Sequence, residues 1–183
     1  MSAKPRTVKV FLTLTAAMTF GALVLLGLNG RPLSAGAFSL ASYSDLNSIE
    51  QILSTVRESS PNRWDSIEIY YSNTSGGDID QISSINGYTS SDDVNFHFLV
   101  CNGYGRADGF IESSRKWENQ WSCISGGDWF GSGRTVRICV VGDGRENFAT
   151  DSQLRRVNVI AENLSRRFGI NMKNISYPEG WRF

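Results

Sequence analysis

Apolar and polar positions follow two different periods along this chain, and the changes of period divide it into elements. Phe96-His97-Phe98-Leu99-Val100-Cys101 is a short, nearly continuous apolar run that stops at Asn102-Gly103. Its aromatic and branched side chains and its abrupt end predict a buried strand rather than a helix. The residues that follow, Gly103 to Gly109, are turn formers, so Phe110-Ile111 can return beside the first strand as a hairpin. Ile67 to Tyr71 predicts another strand, with Ile67 and Ile69 on one face, and Thr135 to Val141 predicts an inner strand. Tyr70 and Tyr71 are neighbours on a strand, so their side chains must point to opposite faces.

Between the strands the period lengthens. Leu46, Ile49, Ile52, Leu53 and Val56 stand at helical spacing over Asp45 to Glu58, with Ser44 or Asp45 as cap and Pro61-Asn62 as stop. Ile79, Ile82 and Ile85 share one side of a helix over Asp78 to Tyr88, terminated near Gly87. Thr150 and Gln153 form a capping box that opens a helix with the stripe Leu154, Val157, Ala161, Leu164 and Phe168, ended by Gly169. Strands alternating with helices, with no internal repeat, predict an α/β domain: a mixed central β-sheet flanked by helices. Asn73 to Gly77 is a loop. Trp121 to Arg134 is glycine-rich, carries Trp121, Trp129 and Phe130, and reads as a long surface loop of a kind often functional.

Composition adds a compartment to this picture. The chain has 183 residues, 40% hydrophobic and 20% charged, enough for one ordinary domain and an appendage. Residues 1–30 form a membrane anchor or signal segment, residues 31–43 a Gly/Ser/Ala-rich flexible linker, and residues 44–183 the folded domain. Within that domain, 44–60 is a leading helix and 61–183 the core. Val8–Leu28 is a 21-residue apolar stretch whose one charge is Lys9, about the ~20 residues that cross a bilayer as a helix. Lys4, Arg6 and Lys9 at its start, against only Arg31 just after it, predict the amino terminus inside and the domain outside. The expected place is the cell inner membrane, single-pass, with the domain in the periplasm or outside. Ala35-Gly36-Ala37 offers a cleavage pattern, so a secreted form is the alternative. Beyond residue 30 there are 15 basic and 18 acidic residues, a net of −3. That balance excludes the dense basic surface nucleic acid needs. Cys101 and Cys139 lie in predicted strands and read as buried thiols; a Cys101–Cys139 or Cys123–Cys139 bridge is the alternative. No pair has zinc-finger spacing.

Three blocks carry a family resemblance. Phe96 to Val100, then Asn102-Gly103, Gly105, Asp108-Gly109 and Ile111-Glu112, followed by Arg115-Lys116-Trp117 and Gln120, resembles the central hairpin of the zinc N-acetylmuramoyl-L-alanine amidases of type 2. That family shares its fold with peptidoglycan recognition proteins. Trp64 to Thr74 resembles the family's first strand, Trp-x-x-Ile-x-Ile-His-His-Ser-x-Thr, and Arg137 to Asp143 resembles its later strand, Gly-Ile-x-Leu-Val-Gly-Asp. The resemblance runs from about Arg63 to Phe183 and implies a mixed sheet with peptidoglycan or a muropeptide as the ligand.

The family's zinc is held by two histidines and a third cysteine or aspartate, and it activates water against the lactyl-amide bond. This chain has one histidine in all. Tyr70 stands where the first zinc histidine is expected, Tyr71 follows it, and Phe96 replaces a tyrosine that is catalytic in phage enzymes of this fold. No histidine follows Trp121, and the tail Ile175 to Phe183 lacks the ligand segment. A phenol is a poor zinc ligand at neutral pH. No cofactor is therefore expected, and the favoured reading is a non-catalytic, membrane-anchored amidase-like domain binding peptidoglycan fragments or an envelope partner. The groove residues, by analogy with where the family binds substrate, are Tyr70, Ser72, Asn73, Thr74, His97, Trp121 and Trp129. His97, inside an apolar run, also reads as a core histidine satisfied by a hydrogen bond. An active, divergent amidase and a purely structural partner of a membrane protein are the other two readings.

Overall fold

The computed structural model describes residues 14–15, 17–19, 46–56, 63–124 and 132–181. The chain forms two units, Met1–Ser42 and Tyr43–Phe183. In the first, the described residues are helical and exposed. Most of the expected anchor Val8–Leu28 falls outside the described residues, and the linker 31–43 wholly so. Among the described residues, no helix is long and apolar enough to cross a membrane.

The second unit is built on a five-stranded sheet. Its strands are β1 (Ser66–Tyr71), β2 (Phe98–Val100), β3 (Ile111–Ser113), β4 (Thr135–Val140) and β5 (Ile175–Ser176), in the order β3-β2-β4-β1-β5. The β2–β3 hairpin is antiparallel and every other pairing is parallel. Every residue of β4 is buried, as expected of a strand flanked on both sides in a sheet covered on both faces. The helices are α1 (Ile49–Ser54), α2 (Ile79–Ile85), the single turn α3 (Arg115–Glu118) and α4 (Asp151–Phe168).

Strand alternation sorts the core into two layers. Ile67, Ile69, Phe98, Val100, Val136, Ile138 and Val140 point one way and pack with Val157, Ile160, Leu164 and Phe168 of α4 and Ile49, Ile52 and Leu53 of α1. Leu99, Cys101, Cys139 and Val141 point the other way and pack with Ile82 of α2, Val94 and Phe96. The capping box at Thr150 and Gln153 forms as expected, and Gly169 ends α4 in the left-handed conformation, φ 68°.

Several boundaries move. The cap of α1 is Ser48, whose side chain accepts from the Gln51 amide, rather than Ser44 or Asp45. Of the three isoleucines of α2 only Ile82 is buried, together with the polar Ser83, and Ile85 is exposed. On α4 the apolar stripe gains Ile160, while Leu154 is only half-buried. Two polar residues enter that buried face. Gln153 Nε2 donates to Val100 O at 2.9 Å and Val141 O at 3.0 Å, tying the ends of β2 and β4 to the helix start. Arg156 Nε donates to Gly109 O at 3.1 Å. The strand β5 has no counterpart in the sequence reading. All three cysteines are buried free thiols, not bridged.

Candidate functional site

The polar interior lies on the α2 face of the sheet. Glu68 and Tyr70 alternate with the isoleucines of β1, and Arg137 sits across from Glu68 in the β1–β4 register. Arg137 Nε donates to Glu68 Oε2 at 2.7 Å and its Nη1 to Asn95 O at 2.6 Å. The guanidinium carbon stands 4.1 Å from the Tyr70 ring centroid, a cation–π stack. The Tyr70 hydroxyl reaches Asn95 O at 3.5 Å. Burial, with the neighbouring Cys139, holds the Tyr70 phenol well above its ordinary range, so it stays protonated.

His97 is fully buried beside this group. Its Nδ1 accepts the Arg137 backbone N–H at 2.9 Å, so Nδ1 carries a lone pair. The proton therefore sits on Nε2, which donates to Trp121 O at 3.0 Å. Both ring nitrogens are thus engaged, and Trp64 meets the ring edge-on at 4.8 Å. Burial pushes the imidazole down to about 3, so it is neutral at physiological pH. Cys123 Sγ lies 3.5 Å from His97 Nδ1, a separation that resembles a nucleophile–base pair. The chemistry is otherwise: burial pushes the thiol up to about 12, and the nitrogen it faces already accepts a hydrogen bond. The proton stays on sulfur. Cys101 and Cys139 are likewise pushed up to about 12 by burial.

Ser72, Asn73 and Thr74 lie further along, past the carboxyl end of β1. The Ser72 and Thr74 hydroxyls bond each other at 2.7 Å, and Ser72 Oγ accepts from the Thr74 and Gly142 amides, each at 3.2 Å. This knot pins the end of β1 to the end of β4. Asn73 is exposed and left-handed, φ 58°. Tyr71 faces the opposite way from Tyr70, as strand alternation requires, and packs on the α4 layer. Its hydroxyl accepts from Trp181 Nε1 at 2.8 Å and the Ala149 amide at 3.3 Å. Its ring lies where a Cβ on Gly144 would come within 2.7 Å, so glycine is needed there for space as well as for its φ of 68°.

The expected site residues therefore divide. Tyr70, His97 and the Trp121 backbone meet around Arg137, while Ser72 to Thr74 form a separate knot. Trp121 is 54% exposed. Trp129 lies outside the described residues. His97, expected as a groove contact, presents no free ring nitrogen to a ligand, because both are used inside the fold. Glu68 and Arg137 were missed as site residues. Their signal was present: an arginine inside a buried strand and a glutamate alternating with isoleucines both call for a partner. A cleft of about 440 Å³ opens elsewhere, between α2, the β3 edge and α3, and none of the expected residues lines it.

The zinc that the family resemblance implies does not fit these residues. The phenol at the first-ligand position is held neutral beneath a guanidinium, and the one imidazole has no lone pair to spare. Among the described residues, no three His, Cys, Asp or Glu side chains gather where they could hold a metal.

No protein-family model matches the chain, and no curated protein matches it. Among solved structures, the chain is similar to N-acetylmuramoyl-L-alanine amidase LysC from Clostridium intestinale URNW, at 18% identity and a TM-score of 0.47. That likeness covers 64% of this chain and 72% of that one. It is also similar to the endolysine N-acetylmuramoyl-L-alanine amidase LysCS from Clostridium intestinale URNW, at 18% identity and a TM-score of 0.43, over 63% and 69% of the two chains. Likeness of this degree leaves the functional reading to the residues themselves.

Proposed function

We propose that this is a non-catalytic, amidase-like binding domain, carried at the cell inner membrane by Val8–Leu28 and facing the envelope, where it holds peptidoglycan fragments or muropeptides. The three sequence blocks support the architecture. The observation that carries the loss of catalysis is His97: the single histidine of the chain is buried, neutral and bonded at both nitrogens. The nearby Cys123 thiol cannot substitute, since burial holds it protonated. Contact with ligand falls on the exposed members of the expected set, Trp121 and Asn73. An indole face suits stacking on a sugar ring. His97 acts from within, holding the Trp121 carbonyl through Nε2. Buried thiols pushed up to about 12 are also poor substrates for oxidation, which suits an exported domain.

Two measurements on the full chain test this. Co-sedimentation with purified sacculi should retain the protein, and Trp121→Ala should weaken retention severalfold, as expected of an aromatic contact. Dye release from labelled sacculi should stay at the buffer background. Release above background would restore the reading of an active, divergent amidase. Failure to sediment would leave the domain as a structural partner of another membrane protein. A reporter fused after Phe183 checks the topology: activity confined to the cytoplasm contradicts an outward-facing domain.

A further inference from the structure

The cleft of about 440 Å³ lies along the outer edge of β3, which is an edge strand of the sheet. The ladder fixes which backbone groups face outward. Cys101 N donates to Phe110 O at 2.9 Å and Ser114 N to His97 O at 2.9 Å, so the even-numbered residues of β3 face β2. Ile111 and Ser113 then turn their N–H and C=O away from the sheet. At Ile111 those groups are already closed. Asn47 Nδ2 donates to Ile111 O at 2.6 Å, and Ile111 N donates to Asn47 Oδ1 at 3.4 Å. One side-chain amide thus imitates the next strand for a single residue. Its backbone carbonyl is held in turn by Arg156 Nη2 at 2.5 Å. Among the described residues no hydrogen bond closes the outward groups of Ser113, and Ser113 is one of the residues that line the cleft.

The charges in the cleft do not cancel. Glu112 pairs with Arg106 at 2.7 Å and Asp92 with Arg115 at 3.0 Å. That leaves Asp78, Asp80 and Glu118 on the walls without an ion pair among the described residues, a net of three negative charges. Asp78 caps α2, while Asp80 is exposed. An unpartnered strand position beside uncompensated carboxylates suits a cationic extended chain. Its backbone completes the edge and its alternate side chains reach the acids.

We propose that the β3 edge is a docking cleft for an extended segment of a partner protein carrying lysine or arginine at alternate positions. The segment pairs with the backbone of Ser113 and places its cationic groups against Asp80 and Glu118. This cleft is distinct from the Trp121 surface, and the proposal stands whether or not that surface binds muropeptides.

The test uses the full chain and a fluorescent, end-blocked peptide of alternating lysine and valine, followed by anisotropy. The peptide should bind, and its glutamate counterpart should not. Asp80→Asn with Glu118→Gln should weaken binding about tenfold, taking roughly threefold for each partly exposed charge. Both positions are at or near the surface, so a matching melting curve shows that the fold is intact. N-methylation of the central valine removes a backbone donor and keeps the charge; it should weaken binding by a similar factor. Asn47→Ala should tighten binding, because it frees the groups of Ile111 for a second pairing. Equal binding by the methylated and unmethylated peptides would overturn the proposal, since attraction would then be charge alone. So would unchanged binding by the double variant, or capture of a lysine-containing muropeptide in the cleft in preference to the peptide.

Discussion

The two faces of the central sheet are made from the same strands, one residue out of step, and they bury different chemistry. On the α4 face every inward residue of β1, β2 and β4 is aliphatic or aromatic, and shape and area hold the layers together. On the α2 face the same strands turn in Glu68, Tyr70 and Arg137, which are stable there only as a bonded set. A greasy face tolerates small losses of volume in proportion. A paired polar face responds to loss of one partner as a unit, because the other is left charged and enclosed.

Breaking the ion pair is expected to have the largest effect. Arg137→Ala leaves the Glu68 carboxylate without its donor and Asn95 O with only the long contact from the Tyr70 hydroxyl, and should destabilise the domain by about 3–5 kcal/mol in denaturant titration. The joint change Glu68→Gln with Arg137→Met should cost clearly less than Arg137→Ala alone. If it costs as much, the face is held by packing and the contrast between the two faces fails. Leu164→Ala, in the fully buried α4 layer, should cost about 2–5 kcal/mol through lost transfer energy and the cavity left behind.

Acid probes the polar face from another side. The folded His97 is held down to about 3 while the unfolded residue titrates near its ordinary 6.5. As pH falls below about 6.5 the unfolded state takes up a proton that the folded state refuses, so stability falls. The slope should approach ~1.4 kcal/mol per pH unit, persist down to about pH 3, and vanish above about 6.5. Denaturation curves between about pH 5 and 6.5 measure it. In His97→Asn that slope should disappear, whatever the change in overall stability. Thr150→Ala should give the smallest effect, about 1 kcal/mol, because it removes one helix cap that also binds Asp108 Oδ1 at 2.6 Å.

Much of the scaffold was legible in short windows. The run from Phe98 to Val100, the hairpin return at Ile111, the strand ending at Tyr71 and the capping box at Thr150 all follow from patterns only a few residues long. Element ends were less legible. Asp45 and Ser48 are both good caps, and only contact of Ile49 and Ile52 with the sheet selects Ser48. The site is legible in part: the sequence points to Tyr70 and His97, but as groove residues, and to Arg137 only as a position inside the strand Thr135 to Val141.

Sequence by itself determined the periodicities, the turn positions, the opposed directions of Tyr70 and Tyr71, and the fact that one histidine must serve alone. These are properties of neighbouring residues, set by the 3.6- and 2-residue repeats and by local backbone sterics. Tertiary structure decided what each polar side chain meets. Arg137 finds Glu68 from 69 positions away, His97 takes its two bonds from residues 40 and 24 positions away, and Trp181 reaches Tyr71 across 110. Those meetings depend on strand order and register. Register is a collective result of burying both faces of the sheet at once, so no window of sequence contains it.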